Sequence, residues 1–394
     1  ASNPGSVPSR QQLISFGQAL VARFQSFDTR LDDMRKGVNS QMTAIVGEVN
    51  TLSTQLAEVN QQIVVTQAGD KTREPNDLLD TRDRLLGQLN KLVRVSTIKQ
   101  SDGTLGVFIG NGQTLVLGSK AFQLDAAVSS ESPEDFQLYY VNGNSHIPLD
   151  SSMIQGGQLG GLMQFRAQTL DRAQNQLGLV ATVLAQTFND QHALGMDLSG
   201  KLGGAFFNVP QADVVDNDNN TGSAVIAANN TDVGALVASD YTLSLSGTTW
   251  RLVRESDGNI NTFTTFPQTI DGMTINLASG TAASGDSFRI QPVRNAAGDI
   301  SVAITDTAKI AAAAPIVTGA DVDNTGKATI SAGVVTDTTN AAFATSGQLT
   351  PPVLIRFTSA TQYSLYKSRT QGGTLRLGIP ITEEISLGLR YSFY

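Results

Sequence analysis

Nucleophiles, metal ligands and proton carriers are scarce in this 394-residue chain. Cysteine is absent, which removes disulfides, thiolate metal sites and thiol nucleophiles together. The histidines are His146 and His192. His192 lies in NDQHALGMDLSG, at an expected helix C-terminus where an imidazole can bond loose carbonyls and favour the dipole. A His192–Asp197 pair can be drawn, but no Gly-x-Ser-x-Gly elbow supplies a nucleophile and no nearby second histidine completes a zinc site. A structural cap is the better reading.

Two polar loops resemble calcium loops at first sight. In DVVDNDNNTG, Asp213 to Gly222, an EF-hand starting at Asp216 needs Gly and Glu where Thr221 and Ala227 stand. In DVDNTG, Asp321 to Gly326, the turn glycine fits but Ala332 replaces the bidentate Glu. Both read as solvated turns, with a weak, partly hydrated calcium site as the alternative. Gly110 to Gly112 sits between strands with no helix following, so it is a hairpin turn and not a dinucleotide fingerprint. The carboxylate pairs Asp28/Asp32 and Asp80/Asp83 fall at helical spacing on expected solvated faces.

The glycine pairs Gly156-Gly157 and Gly160-Gly161 precede an amphipathic run, as a phosphate-cradling loop would. No Lys or Ser/Thr follows at Walker spacing to pair a phosphate or hold magnesium. These glycines therefore read as a structural joint, where a β excursion re-enters a helical bundle. No catalytic, cofactor-binding or metal-binding residue is assigned, and no cofactor is expected.

The elements that would position such residues are clearer. Leu20, Phe24, Phe27, Leu31, Met34, Val38, Met42, Ile45, Val49, Leu52, Leu56, Val59 and Ile63 recur at spacings of 3 and 4, with a single extra 4. Gln, Asn, Thr, Ser, Asp and Arg fill the gaps, so one narrow buried stripe is expected on a helix of about 45 residues, about 65–70 Å long. Gly69 and Pro75 break it. A second helix follows in NDLLDTRDRLLGQLNKLV and a third over about 161–194, with Leu162, Phe165, Leu170, Leu177, Val180, Leu184 and Phe188. The three read as an antiparallel bundle.

Between the second and third helices the period becomes two. VSTIKQSDGTLGVFIGNGQTLVLG reads strand, turn, strand, turn, strand, and DFQLYYV and SHIPLD extend the excursion. From Asp240 a second block of short strands begins, with turns rich in Gly, Ser and Asn. The fold class is α+β multidomain: an elongated antiparallel helical bundle, or rod, with inserted and appended antiparallel β domains. The expected divisions are 1–95 (long helices), 96–153 (β excursion), 154–205 (returning helix), 206–366 (β domain) and 367–394 (atypical hairpin tail). A net charge of -8 with no Lys/Arg block argues against nucleic acid as a partner. No apolar run approaches the length of a membrane-spanning helix. The chain opens on ASNPGSVPSR, without Met or a basic-then-apolar leader, and so reads as a fragment or processed piece.

Four segments carry a family resemblance: RQQLISFGQALVARF; EPNDLLDTRDRLLGQLNKLVRVSTIKQSDGTLGVFIGNGQTLV; GGQLGGLMQFRAQTLDRAQNQLGLVATVLAQTFNDQHALGMDLSGKLGGAFF; and GDSFRIQP. They resemble the first hook-associated protein family of the bacterial flagellum, the FlgK type, over roughly residues 5 to 366. The resemblance implies a non-enzymatic, extracellular subunit of the hook–filament junction, exported by the flagellar type III apparatus and acting by self-assembly. It implies as partners copies of itself, hook protein, adjacent hook-associated or filament proteins and an export chaperone, with no nucleic acid and no small-molecule substrate. The assembly and packing face is placed on the α-helical stripe residues named above, Val180 excepted. The family's outer helical segments have no counterpart here.

From Lys367 onward the family pattern stops. Leu375, Leu377, Ile379 and Ile381, then Ile385, Leu387, Leu389, Tyr391 and Phe393, alternate with small or polar residues. This hairpin is similar to a strand pair of the outer-membrane barrel-assembly factor family, and one hairpin cannot close a barrel. A foreign graft and an extra hairpin on the β domain both remain open readings. A surface adhesin, with a parallel trimeric coiled-coil stalk over 20–63 and an outer-membrane-associated tail, is the alternative function.

Overall fold

A computed structural model describes residues 5–69, 75–316, 318–326, 330–339, 353–359, 362–371 and 374–380. Helix α1 (Val7–Gly69) is far longer than the expected 45 residues, and α2 (Asn76–Leu92) follows. The buried line of α1 runs Arg10, Ile14, Gly17, Val21, Phe24, Asp28, Leu31, Arg35, Val38, Met42, Ile45, Val49, Leu52, Leu56, Val59, Ile63, with Asp28 and Leu31 half-buried. Its steps alternate 4 and 3 without the extra 4 of the apolar reading. The inner line simply passes through charged residues at 28 and 35, where the sequence offers Phe27 and Met34 one position away.

From Val38 to Ile63, α1 shares one hydrophobic cluster with Leu85, Leu89 and Leu92 of α2 and with Leu159 and Met163 of α3 (Gly157–Phe165). Each such buried side chain stabilises the fold by about 1.5–3 kcal/mol relative to exposure. This stretch therefore has intramolecular helix partners, contrary to the parallel-trimer alternative.

The β excursion fills the other side of that cluster. The strands β1 (Val95–Lys99), β2 (Leu105–Ile109), β3 (Gln113–Leu117) and β4 (Lys120–Ala121) form an antiparallel sheet in sequence order. A second antiparallel sheet joins β5 (Gln123–Ser129), β6 (Ser132–Asn142) and β7 (Ser145–Leu149). Leu115, Val116, Leu124 and Leu138 are their inward residues.

The third expected helix runs unbroken from Gly157 to Ala193 but contains one wide turn. A π-turn at Arg166–Leu170 separates α3 from α4 (Asp171–Ala193). Such wide turns shift the helix register and are frequent where side chains must be re-aimed.

After β8 (Phe207–Asn208), strands β9 (Asp213–Asp216), β10 (Val225–Asn230), β11 (Tyr241–Ser246), β12 (Thr249–Arg254), β13 (Ile260–Phe263), β14 (Gln268–Ile270), β15 (Met273–Ser279) and β16 (Ser287–Gln291) build the second β domain. Its sheets run β13-β12-β11-β16-β9 and β10-β15-β14. They enclose a separate core of Tyr241, Leu243, Trp250, Leu252, Met273, Ile275, Phe288 and Ile290. Two strands, β9 and β10, precede the Asp240 start read from the sequence. The chain continues through α5 (Ala296–Asp299) and β17 (Ser301–Val302), which pairs with β8.

The chain divides into two compact units: residues 21–184 with 209–300, and residues 1–20 with 185–208 and 301–394. In the latter, β18 (Val353–Phe357), β19 (Tyr363–Gln371) and β20 (Thr374–Pro380) form an antiparallel sheet. The expected tail hairpin thus begins as the third strand of that sheet. Its second strand, Ile385 to Phe393, lies outside the described residues.

Candidate functional site

The most densely charged region lies where α1, β6, α4 and the second β domain meet. Arg35, on the inner line of α1, donates to Asp135 of β6, to Asp171 at 2.8 Å and to Gln174, both on α4. Arg294 pairs with Asp171 and lies 3.2 Å from Asp240 and 3.7 Å from Asp135. Arg289 of β16 donates to Asp240 at 2.8 Å and sits 3.7 Å from Asp135. Asn175 donates to Asp240 at 3.0 Å, and Ser132 donates to Asp135 at 3.2 Å. Arg166, in the π-turn, donates to the Phe136 carbonyl at 2.5 Å.

Burial alone would raise the Asp135 carboxyl, but the guanidiniums of Arg35, Arg294, Arg166 and Arg289 outweigh it and hold it at about 2. The opposite happens two turns before Arg35 along α1. Burial, reinforced by Asp32, Asp299 and Glu134, pushes the half-buried Asp28 up to about 6.

A second set of polar residues fastens α1 to the β excursion. The Asn50 amide donates to the Leu124 carbonyl and accepts from the Leu124 N–H, both at 2.8 Å. Asn60 bonds the carbonyls of Leu105 and Gly118 at 2.9 Å and accepts from the Leu105 N–H at 3.1 Å. Asn39 donates to the Glu134 carbonyl at 2.9 Å and accepts from the Phe136 N–H at 3.3 Å. Each side chain imitates one peptide of a neighbouring strand, satisfying backbone groups that burial would otherwise orphan. Composition read these asparagines as wet, and only their place on the inner side of α1 could have marked them.

The residues assigned to the assembly and packing face divide three ways. Phe24, Val38, Met42, Ile45, Val49, Leu52, Leu56, Val59, Ile63 and Leu170 are buried inside the chain. Leu20, Leu31, Leu162, Leu177, Leu184 and Phe188 are half-buried. Phe27 and Met34, each 52% exposed, and Phe165 at 41% lie on the surface. Phe27 and Met34 are seven residues apart, two turns along one face of α1, and the Arg30 guanidinium lies 5.9 Å from the Phe27 ring centre. The buried seam from Val38 to Ile63 faces this chain's own elements.

The joint glycines also divide. Gly156 and Gly157 have φ of 74° and 65°, which only glycine adopts without strain. A Cβ on Gly157 would lie 2.7 Å from the Leu92 carbonyl, so this residue makes the close approach to α2. Gly160 is buried against its own preceding backbone at Ile154 and Gln155, and Gly161 faces open space. The close approach to α2 therefore belongs to Gly157.

His192 does not cap its helix and does not pair with Asp197. The Ala311 N–H donates to Nε2 at 2.8 Å, which places the proton on Nδ1, and Nδ1 donates to the Gly204 carbonyl at 2.7 Å. The Asp197 carboxylate accepts from the N–H groups of Ser199 and Lys201. In the DVVDNDNNTG loop, the N–H groups of Thr221 and Gly222 turn to the Asp286 carboxylate. Among the described residues no group of three His, Asp or Glu side chains has metal-binding spacing, and no helix is long and apolar enough to cross a membrane.

Residues 1–207 match the model of the flagellar hook-associated protein FlgK helical domain, and residues 215–292 that of the flagellar hook-associated protein 1 D2-like domain. The chain is 37% identical over 318 residues to flagellar hook-associated protein 1 of Escherichia coli (strain K12), covering 79% of this chain and 58% of that protein. It is 37% identical over 334 residues to the protein of the same name in Salmonella typhimurium, covering 82% and 59%. The solved structure of the flagellar hook junction protein FlgK from Burkholderia pseudomallei aligns with a TM-score of 0.82 at 31% identity, over 99% of this chain and 72% of that one. The chain spans less than two thirds of the length of the curated relatives it matches. With more than half of its length matched by the helical-domain model and the adjoining β domain matched in turn, the chain belongs to the FlgK family of flagellar hook-associated proteins.

Proposed function

We propose that this chain is a structural, non-enzymatic segment of the bacterial flagellum that works outside the cell at the hook–filament junction. It acts by self-assembly and by docking hook protein and adjacent hook-associated or filament proteins. Export through the flagellar type III apparatus, with an export chaperone, belongs to the same reading. The observation that carries it is the outer face of α1. With the inner line filled by this chain's own elements, Phe27 and Met34 remain exposed two turns apart on a rigid helix. Large apolar side chains paired in this way on a rod suit lateral contact with a neighbouring copy, and such heterologous contacts close into a ring or helix.

Co-sedimentation of the full chain with purified hooks and with flagellin filaments tests the reading. Association with one or both is expected, and no association with either sinks the junction assignment. Phe27→Ser combined with Met34→Ser should change stability by no more than about 0.5 kcal/mol, as surface substitutions do. The pair should weaken self-association about tenfold or more, a loss of about 1.4 kcal/mol or greater. Unchanged sedimentation of the double variant would move the contact elsewhere.

A further inference from the structure

The helical region and the second β domain do not share a hydrophobic core. One apolar cluster draws on α1 from Val38, on α2, on α3 and on β2 to β7. The other is confined to the β domain and its flanks, with Leu179 of α4 packed against it. Between them stands the arginine–aspartate cluster. Arg35, Asp135 and Asp171 come from the helical side, and Asp240, Arg289 and Arg294 come from the β domain. The cross-connections are Arg294 to Asp171 and to Asp135, and Arg289 to Asp135. Arg35, Arg294, Asp135 and Asp240 are all buried.

Apolar contact is non-directional, so a greasy interface in this place would tolerate sliding. Guanidinium–carboxylate pairs are directional, and an unpaired buried charge is strongly disfavoured. We infer that this cluster is an orientation latch, which holds the β domain at one angle on the helical domain. The cost of desolvating its charges means that it contributes little net stability, and its role is to exclude other orientations. The β domain is therefore presented rigidly on the rod instead of swinging on the two chain segments that join it. Backbone approach reinforces the seat, since a Cβ on Gly178 of α4 would come 1.7 Å from the Val293 carbonyl oxygen. This inference stands apart from the flagellar reading and needs no partner.

The chain's lack of cysteine allows a direct test. Spin labels at Ser40→Cys on α1 and Ser246→Cys on β11, both exposed, report the distance between the two regions. A single narrow distribution is expected in the parent. The charge-balanced variant Arg294→Met with Asp240→Asn should broaden it by about a factor of two or more, the default for domains lacking a large apolar interface. Trp250 is the only tryptophan and lies in the β-domain core, so its fluorescence follows that domain while ellipticity follows the helices. The two probes should melt together in the parent and apart in the variant. Should that variant fail to fold, Arg289→Met, which removes a partly exposed guanidinium, applies the same criteria. Distributions as narrow as the parent's in a folded variant would overturn the latch.

Discussion

At the residue scale, the polar positions of α1 carry more of the structure than its apolar letters suggest. Asp28 and Arg35 hold places on the inner line that Phe27 and Met34 would claim by hydrophobicity alone, and at Arg35 partners on α4 and β6 await charge. Asn39, Asn50 and Asn60 were equally hidden, since an asparagine that replaces a strand peptide looks in sequence like one that faces water. The Asp28 carboxyl makes a sign-definite prediction. Its folded value of about 6 exceeds the ordinary 3.8, so the folded state binds the proton more tightly and Asp28 costs stability as pH rises from about 4 to 6. Half exposure and solvent screening reduce the cost to about 1 kcal/mol. Asp28→Asn should therefore raise the melting temperature by about 2 °C at pH 7. Thermal melts of the two proteins should converge at pH 4; a difference independent of pH would refute the assignment.

At the element scale, hairpins and helices were legible to different degrees for physical reasons. The Ser-Asp-Gly and Gly-Asn-Gly turns of the excursion fix backbone conformations that few other residues accept, so β1 to β3 fall where the turns put them. The π-turn at Arg166–Leu170 left no such mark, because any helix-forming residues can occupy it. Its purpose is visible only in the first turn of α4, where Asp171, Gln174 and Asn175 all reach the ion cluster. The glycine joint was readable as a joint, yet which glycine touches α2 depended on backbone angles. The asparagine clamps give the element-scale prediction. Asn50→Ala or Asn60→Ala should each cost about 1–3 kcal/mol, the penalty for orphaning buried backbone groups. Hydrogen exchange should speed up at the N–H of Leu124 in the first variant and of Leu105 in the second. Uniform acceleration across all strands would point instead to global loosening.

At the scale of the whole molecule, the ion cluster ties stability to acid in the sense opposite to Asp28. The Asp135 carboxyl at about 2 lies below its ordinary 3.8, so its contribution is complete above pH 3.8 and is lost as pH falls toward 2. That depression corresponds to about 2 kcal/mol. The same titration leaves the guanidiniums of Arg35, Arg294, Arg166 and Arg289 around a neutral acid. Going down from pH 7, Asp28 first adds stability and Asp135 then removes it, which puts the summed optimum of these two groups near pH 4. Asp135→Asn should flatten the acid limb between pH 4 and 2 and lower stability throughout the neutral range, because it leaves the buried Arg35 short of a charge partner. Since the cluster joins the two cores, the Trp250 transition should part from the helical one on acidification of the parent, as it does in the latch variants at neutral pH. Coincident transitions down to pH 2 would show that the charges stabilise each core separately and do not hold the β domain to the rod.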